Sequence, residues 1–513
     1  MKTTHPRGLS HWHRKVATLK SVWLFLFMAT LGAGERPNII FLFTDDQAYD
    51  TLGCYGNPNV KTPNIDRLGR NGLIFDRHYN TTAICMASRA NVMTGLLEYR
   101  SGCNFSRGPL ARELWEKSYP MQLRRAGYKT AFGGKFGFAV TGDPTQGNIS
   151  ENKYENLPVD DFDFWVGGTG QTSYDTAKNR FLARFADKFP HSSRAYGAAG
   201  QEFIRQSSQG DSPFCLTLFF KAPHRPTTPD PAFDHIYQDT LFRKLPNYGR
   251  KAGEHLAPQS KRGRQYPRFE EWGYHTEESY QKSLRTYHQQ IYGVDVAVGM
   301  ILDELKRQAI DQNTVIIFSS DNGFFNGSHG MGSKVLPYEE GSRVPLIIFD
   351  PRQPIANRGR RSSAVTGNID IAATILSLAQ IPLQTKLDGK SLIPIVNQSA
   401  TQVREALPLI QVWGPSETYC FAIVSDSHKY AYWPWGQTTP PFEELFDLRA
   451  DPFEMENVIQ DPLQEKDLNR MQAYYQIELG KWQKHRVDYG GYPRFDTLFD
   501  NQISWEDKRA TLK

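Results

Sequence analysis

Short apolar runs separated by longer amphipathic stretches make up most of this chain. Residues 39–43, 214–220, 315–318 and 346–349 are rich in Ile, Val, Leu and Phe and bounded by turn formers, which predicts buried strands. Residues 283–308 place Tyr292, Val296, Met300 and Ile301 on one face and Asp303, Glu304 and Lys306 on the other, the spacing of an amphipathic helix. Alternation of such strands and helices predicts an α/β fold, a mainly parallel central sheet with helices on both faces. Residues 143–212 are polar and weakly periodic, and 226–275 are rich in Pro, Gly and charge, so both are predicted to be insertions over a site. Beyond residue 400 the pattern changes to short strands and a polar helix near 464–485. The expected organisation is a main domain of 35–400 and a smaller α+β C-terminal subdomain of 401–513.

Charge changes the picture mainly at the N-terminus. The formal net charge is +5, and residues 1–34 hold Lys2, Arg7, Arg14, Lys15 and Lys20 with no acid. The remainder is near neutral, so no basic field points to nucleic acid. The basic start, the apolar run 22–29 and the small residues Gly32-Ala33-Gly34 predict a signal peptide over 1–34 and export, periplasmic or secreted, with an uncleaved anchor as the alternative. No apolar run is long enough for a stable membrane span. Of the five cysteines, Cys54, Cys103, Cys215 and Cys420 are compatible with two, one or no disulfides once Cys85 is set aside for chemistry.

Candidate chemistry lies where the apolar runs stop. The first ends in Asp45-Asp46, the second in Lys221-Ala222-Pro223-His224 and the third in Asp321-Asn322. In a parallel sheet these ends gather at one edge, where ligands bind. Asp45, Asp46, Asp321 and Asn322 offer only oxygen, the preference of calcium or magnesium. Residues 85–94, followed by Gly95, read as a short helix with Cys85 and Arg89 one turn apart. A nucleophile, a fixed cation and a metal-type acid pair suggest attack on an anionic ester.

The segment Cys85-Met86-Ala87-Ser88-Arg89, with Thr94-Gly95, resembles the Cys-x-Pro/Ala-Ser-Arg signature of the type I, formylglycine-dependent sulfatases of the alkaline phosphatase superfamily. The opening from Arg36-Pro37-Asn38 to Asp45-Asp46, Thr62-Pro63-Asn64, Gly134-Lys135, Ala222-Pro223-His224, Ser320-Asp321-Asn322-Gly323, Tyr338-Glu339-Glu340-Gly341 and Glu444-Leu445-Phe446-Asp447 are similar to further blocks of that family, in order. The resemblance implies an alkaline phosphatase-like fold and an arylsulfatase-like sulfuric ester hydrolase. It implies that a formylglycine-generating maturation enzyme oxidises Cys85. One hydroxyl of the hydrated aldehyde would attack sulfur, and the second would expel sulfate. It implies one ion, calcium rather than magnesium, held by Asp45, Asp46, modified Cys85, Asp321 and Asn322. Arg89 would hold the diol, Asp321 assist deprotonation and His224 protonate the leaving oxygen. Lys135 and Lys334 would bind sulfate oxygens, and His329 could contact substrate.

Two positions depart from the family pattern. Ala87 stands where many relatives carry Pro. Gly137 stands where the family has a histidine after Gly-Lys-Trp, and His78 or His329 are the substitutes to consider. The expected substrate is a sulfated carbohydrate or a small sulfate ester. Alternatives are a phosphonate or phosphate-ester hydrolase of the same superfamily, and a non-catalytic binder of sulfated glycans.

Overall fold

A computed structural model describes residues 1–3, 36–146, 149–383, 386–437 and 439–511. The predicted signal peptide thus lies almost wholly outside the described residues. The central sheet contains β1 (Asn38–Thr44), β2 (Leu73–Tyr79), β3 (Lys129–Lys135), β4 (Phe164–Gly168), β5 (Phe214–Phe219), β6 (Thr314–Ser320), β7 (Leu346–Phe349) and β8 (Arg360–Gly367). Their order is β8-β2-β7-β6-β1-β5-β3-β4. β7 runs antiparallel to both neighbours, and the other pairings are parallel.

The chemistry-bearing strand is the most deeply held. On β1, Ile39, Phe41 and Phe43 enter one core while Ile40 and Leu42 enter the other, and all five are fully buried. Burial of each such side chain contributes about 1.5–3 kcal/mol relative to exposure. A slip of one residue would exchange the two sets, so the register that delivers Asp45 is fixed. The Phe41 face is covered by α2 (Cys85–Thr94) and α5 (Asp370–Leu378). The other is covered by α1 (Pro63–Asn71), α3 (Ser192–Ser207) and α4 (Glu277–Arg307). This is the expected mainly parallel sheet between helical layers.

One expectation is corrected. Residues 143–212 are not wholly an insertion, because they supply β4, the edge strand of the central sheet, and α3, which packs on α4. Their weak periodicity has a packing cause. Gly197 and Gly200 of α3 sit against Ala297 and Ile301 of α4, so close approach replaces large apolar side chains. Residues 226–275 carry only short helical turns among the described residues.

The C-terminal part is an antiparallel sheet of β9 (Ala406–Gln411), β10 (Cys420–Ser425), β11 (His428–Trp433) and β12 (Phe442–Asp447). Across it lies α6 (Glu465–His485), whose Met471, Tyr475, Leu479 and Trp482 form one buried stripe at helical spacing. All five cysteines are free thiols. Among the described residues no helix is long and apolar enough to cross a membrane.

Candidate active site

The carboxyl ends of β1 and β5 lead to a cleft of about 850 Å³ whose wall includes Asp46, Cys85, His224 and Lys334. Asp45 follows β1 and donates its N–H to the Ala222 carbonyl, 3.1 Å away, beyond the end of β5. Asp46 adopts a left-handed conformation, φ 66°, unusual for a residue with a Cβ. Tertiary bonds hold it there: its N–H donates to Asp321 Oδ1 at 3.2 Å, and its carbonyl accepts from Tyr287 at 2.6 Å. The two strand-end acid groups are therefore tied to each other through backbone.

Cys85 is the first residue of α2, a helix buried at every position and closed by Gly95 at φ 69°. Ser88 bonds Asn80 and Asn368 and fixes the helix against the sheet. Cys85 Sγ lies 3.7 Å from Asp45 Oδ1 and 2.9 Å from Lys334 Nζ. One turn on, Arg89 is completely buried. Its Nη2 is 3.2 Å from Asp45 Oδ2 and 2.9 Å from Asp321 Oδ2, and its Nη1 donates to the Lys135 carbonyl at 2.6 Å. Lys135, ending β3, reaches Asp45 Oδ2 at 2.6 Å. Lys334 pairs closely with Asp46 and lies 3.7 Å from Asp45. His224 Nε2 is 3.8 Å from Asp46 Oδ2.

Burial penalises the charge of Asp45, but Lys135, His224, Arg89 and Lys334 outweigh it and hold the carboxyl well below its usual range. Asp321, buried and facing Asp45, is pushed upward. Burial and the Asp45 charge push the Cys85 thiol up, so an unmodified cysteine here is a poor nucleophile. Burial also pushes His224 down to about 4.

The residues offer ligands for a metal ion. Asp45, Asp46, Cys85 and His224 offer ligand atoms all within 4.8 Å of one another. Asn322 donates its amide to Asp46 at 2.6 Å, while its buried Oδ1 has no hydrogen-bond partner. A carbonyl oxygen without a hydrogen bond beside carboxylates can serve as a ligand to a cation. Asp321 borders the group with both oxygens already engaged, one by Arg89 and one by the Asp46 N–H.

Asp45, Asp46, Cys85, Arg89, Lys135, His224, Asp321, Asn322 and Lys334 thus converge. His329 does not, and its expected substrate contact is corrected. It is 1% exposed; its Nδ1 sits 3.1 Å from the Ala252 carbonyl and its Nε2 3.0 Å from Asn247, inside a separate buried group with Glu340 and Glu454. His78 is also buried elsewhere, bonded to Thr366 at 2.9 Å. Among the described residues His224 is the only histidine on the cleft wall. Sequence reasoning missed Arg225 and Arg268 on that wall; the position of Arg225 directly after His224 was the available signal.

Comparison with known proteins agrees with this geometry. A family model described as Sulfatase matches residues 37–381, and one described as N-sulphoglucosamine sulphohydrolase, C-terminal, matches residues 327–478. The chain is 26% identical to an N-acetylglucosamine-6-O-sulfatase of Bacteroides thetaiotaomicron, covering 83% of each chain. It is 27% identical to a choline-sulfatase of Rhizobium meliloti, covering 88% of each. Among solved structures, a protein in complex with its substrate D-glucosamine-2-N,6-O-disulfate shares the fold with a TM-score of 0.69, at 24% identity, covering 89% of this chain and 99% of the other. A phosphonate monoester hydrolase of Agrobacterium radiobacter does so with a TM-score of 0.70, at 22% identity, covering 88% and 96%.

Proposed function

Because this chain belongs to the sulfatase family, we propose that its cleft hydrolyses sulfate esters on saccharides, using formylglycine made from Cys85 and one calcium ion. The family makes the protein a sulfuric ester hydrolase; the sugar, the ion and the residue roles are our reading. One observation carries it: Lys334 Nζ lies 2.9 Å from Cys85 Sγ while pairing with Asp46. Nucleophile, cation ligands and an anion-binding ammonium thereby meet at one point. The name of the Bacteroides relative supports a sulfated amino sugar, and that of the choline-sulfatase leaves a small ester as the second choice.

Asp45, Asp46, Asp321 and Asn322 would hold the cation. When present, the two groups supply a hydroxyl nucleophile in place of the thiol and a compensating positive charge. Lys135 and Lys334 bind the sulfate oxygens and stabilise charge building on them. Arg89 is locked by Asp45, Asp321 and the Lys135 carbonyl, so it orients the residue at position 85 rather than reaching the substrate. His224 protonates the leaving oxygen. Burial disfavours its imidazolium, and the bound sulfate anion beside it restores that form. A formylglycine-generating enzyme and export to the periplasm or outside complete the reading.

The test joins two measurements on protein from its native host. Peptide mass spectrometry should show Cys85 as formylglycine, and sulfate should be released from 4-nitrophenyl sulfate and N-acetylglucosamine 6-sulfate. An unmodified Cys85 in protein that still releases sulfate would refute the proposed nucleophile. Preferential cleavage of phosphonate esters would move the protein to the phosphonate hydrolase reading.

A further inference from the structure

One wall of the cleft is built from cations laid on aromatic rings. Arg264 lies over Trp413, 4.0 Å from the ring centroid. Arg268 and Arg225 both lie over Trp272, at 4.4 and 4.7 Å. All five side chains line the cavity that holds Cys85, His224 and Lys334. Three other basic residues of the 226–275 segment are held elsewhere: Lys244 by Glu277, Arg250 by Glu270, and Lys261 by the Glu254 carbonyl. Arg225, Arg264 and Arg268 form no carboxylate ion pair among the described residues. Arg268 donates to Ser333 at 2.9 Å, next to Lys334.

Three unpaired guanidinium groups in one wall repel each other. Although Arg264 is exposed as a residue, desolvation by the cleft and the Arg268 charge push it down to about 10. Burial lowers Arg268 as well, and Arg225 adds to it, while the Glu271 and Asp46 charges offset part of the effect. An anionic ligand would relieve such crowding. A guanidinium stacked on indole keeps its N–H edge free and oriented, suited to a bidentate oxyanion. The fields of Cys85 and Asp46 reach Arg264, so this wall adjoins the reaction centre and belongs to the same ligand.

We propose that Arg225, Arg264 and Arg268, laid on Trp272 and Trp413, form a subsite for a second anionic substituent, a sulfate or carboxylate on the same saccharide as the ester that is cleaved. The inference rests on the sulfatase reading of the cleft and narrows its substrate class from sulfated to polyanionic saccharides. A singly sulfated sugar leaves the arginine wall unpaired, and a multiply charged one neutralises it.

Binding tests this separately from turnover. Calorimetry on the full chain compares heparin-derived disaccharides carrying one sulfate and three. The trisulfated disaccharide should bind roughly 10- to 100-fold more tightly, as one or two charge-assisted hydrogen bonds supply. R264Q, at a residue with no carboxylate partner to lose, should shrink that preference several-fold, and the R264Q/R268Q double variant should abolish it. Equal affinities in the unaltered protein, or a preference that survives both substitutions, would overturn the subsite. Sulfate release from 4-nitrophenyl sulfate reports on the catalytic reading independently. Its absence with a retained trisulfate preference would count against the proposed catalytic residues and leave the arginine wall standing as an anion-binding surface.

Discussion

Gly137 offers a sharp test of how this site is packed. The family resemblance places a histidine there, so G137H looks like a restoration and G137A like a neutral change. The structure predicts that both are damaging. Gly137 has φ 87°, and a side chain in that region costs about 1–2 kcal/mol. A Cβ built on it would lie 2.6 Å from Arg89 Cδ, closer than real contacts allow. Arg89 cannot swing away, because its guanidinium is held by Asp45, Asp321 and the Lys135 carbonyl. It is also packed against the rings of Phe43 and Phe219, 5.8 and 5.1 Å from their centroids. Overpacking of this kind costs about 1–3 kcal/mol, so G137A should destabilise the fold by about 2–5 kcal/mol. Movement of Arg89 would also misplace the nucleophile position, and errors near 1 Å cost about 100-fold in rate. Urea unfolding followed by tryptophan fluorescence measures the first effect, and kcat on 4-nitrophenyl sulfate the second. If G137A unfolds within about 0.5 kcal/mol of the parent, or G137H turns over faster than the parent, the packing argument is wrong.

Other predictions follow from the same geometry. K334A should lower kcat by roughly 100- to 1000-fold, as loss of one preorganised donor to developing charge does; a change confined to KM would mean that Lys334 only binds. Chelation should abolish sulfate release and lower the melting temperature, since it removes a ligand of the folded state. Calcium should restore both more fully than magnesium, and an enzyme indifferent to chelation would rule out the cation. His288 stacks on Phe242 with ring centroids 4.7 Å apart, and burial pushes it down to about 3. The unfolded chain, with an ordinary value of about 6.5, binds more protons between those limits. The contribution of a neutral His288 is therefore complete above pH 6.5 and declines as pH falls toward 3. Going from pH 7 to 5, the stability of H288F relative to the parent should rise by about 2 kcal/mol in urea unfolding, and a pH-independent difference would count against it.

What could be read from the chain divides along physical lines. β1 was legible because its apolar residues alternate between two cores and stop at Asp45, and the same holds at the end of β6, where Asp321 follows Ser320. Parallel pairing then forces these ends onto one edge, so local pattern was enough to gather the acids. The edge strand β4 and helix α3 were hidden for the opposite reason. Where Gly197 and Gly200 let two helices touch, the packing surface is backbone, and no apolar periodicity records it. His329 was misplaced because a loop histidine between glycines says nothing about which side of the loop faces the cleft. Here the 226–275 segment closes over it, through Asn247 and the Ala252 carbonyl. The arginine wall combines both difficulties. Arg225 and Arg268 lie far apart in sequence and meet only because both settle on Trp272. A basic stretch in the sequence marks a region, but the ion pairs that remove Lys244 and Arg250 from consideration exist only in three dimensions. The chemistry shared with a family is thus written in strand ends, while the proposed substrate wall depends on which arginines the fold brings to the cleft.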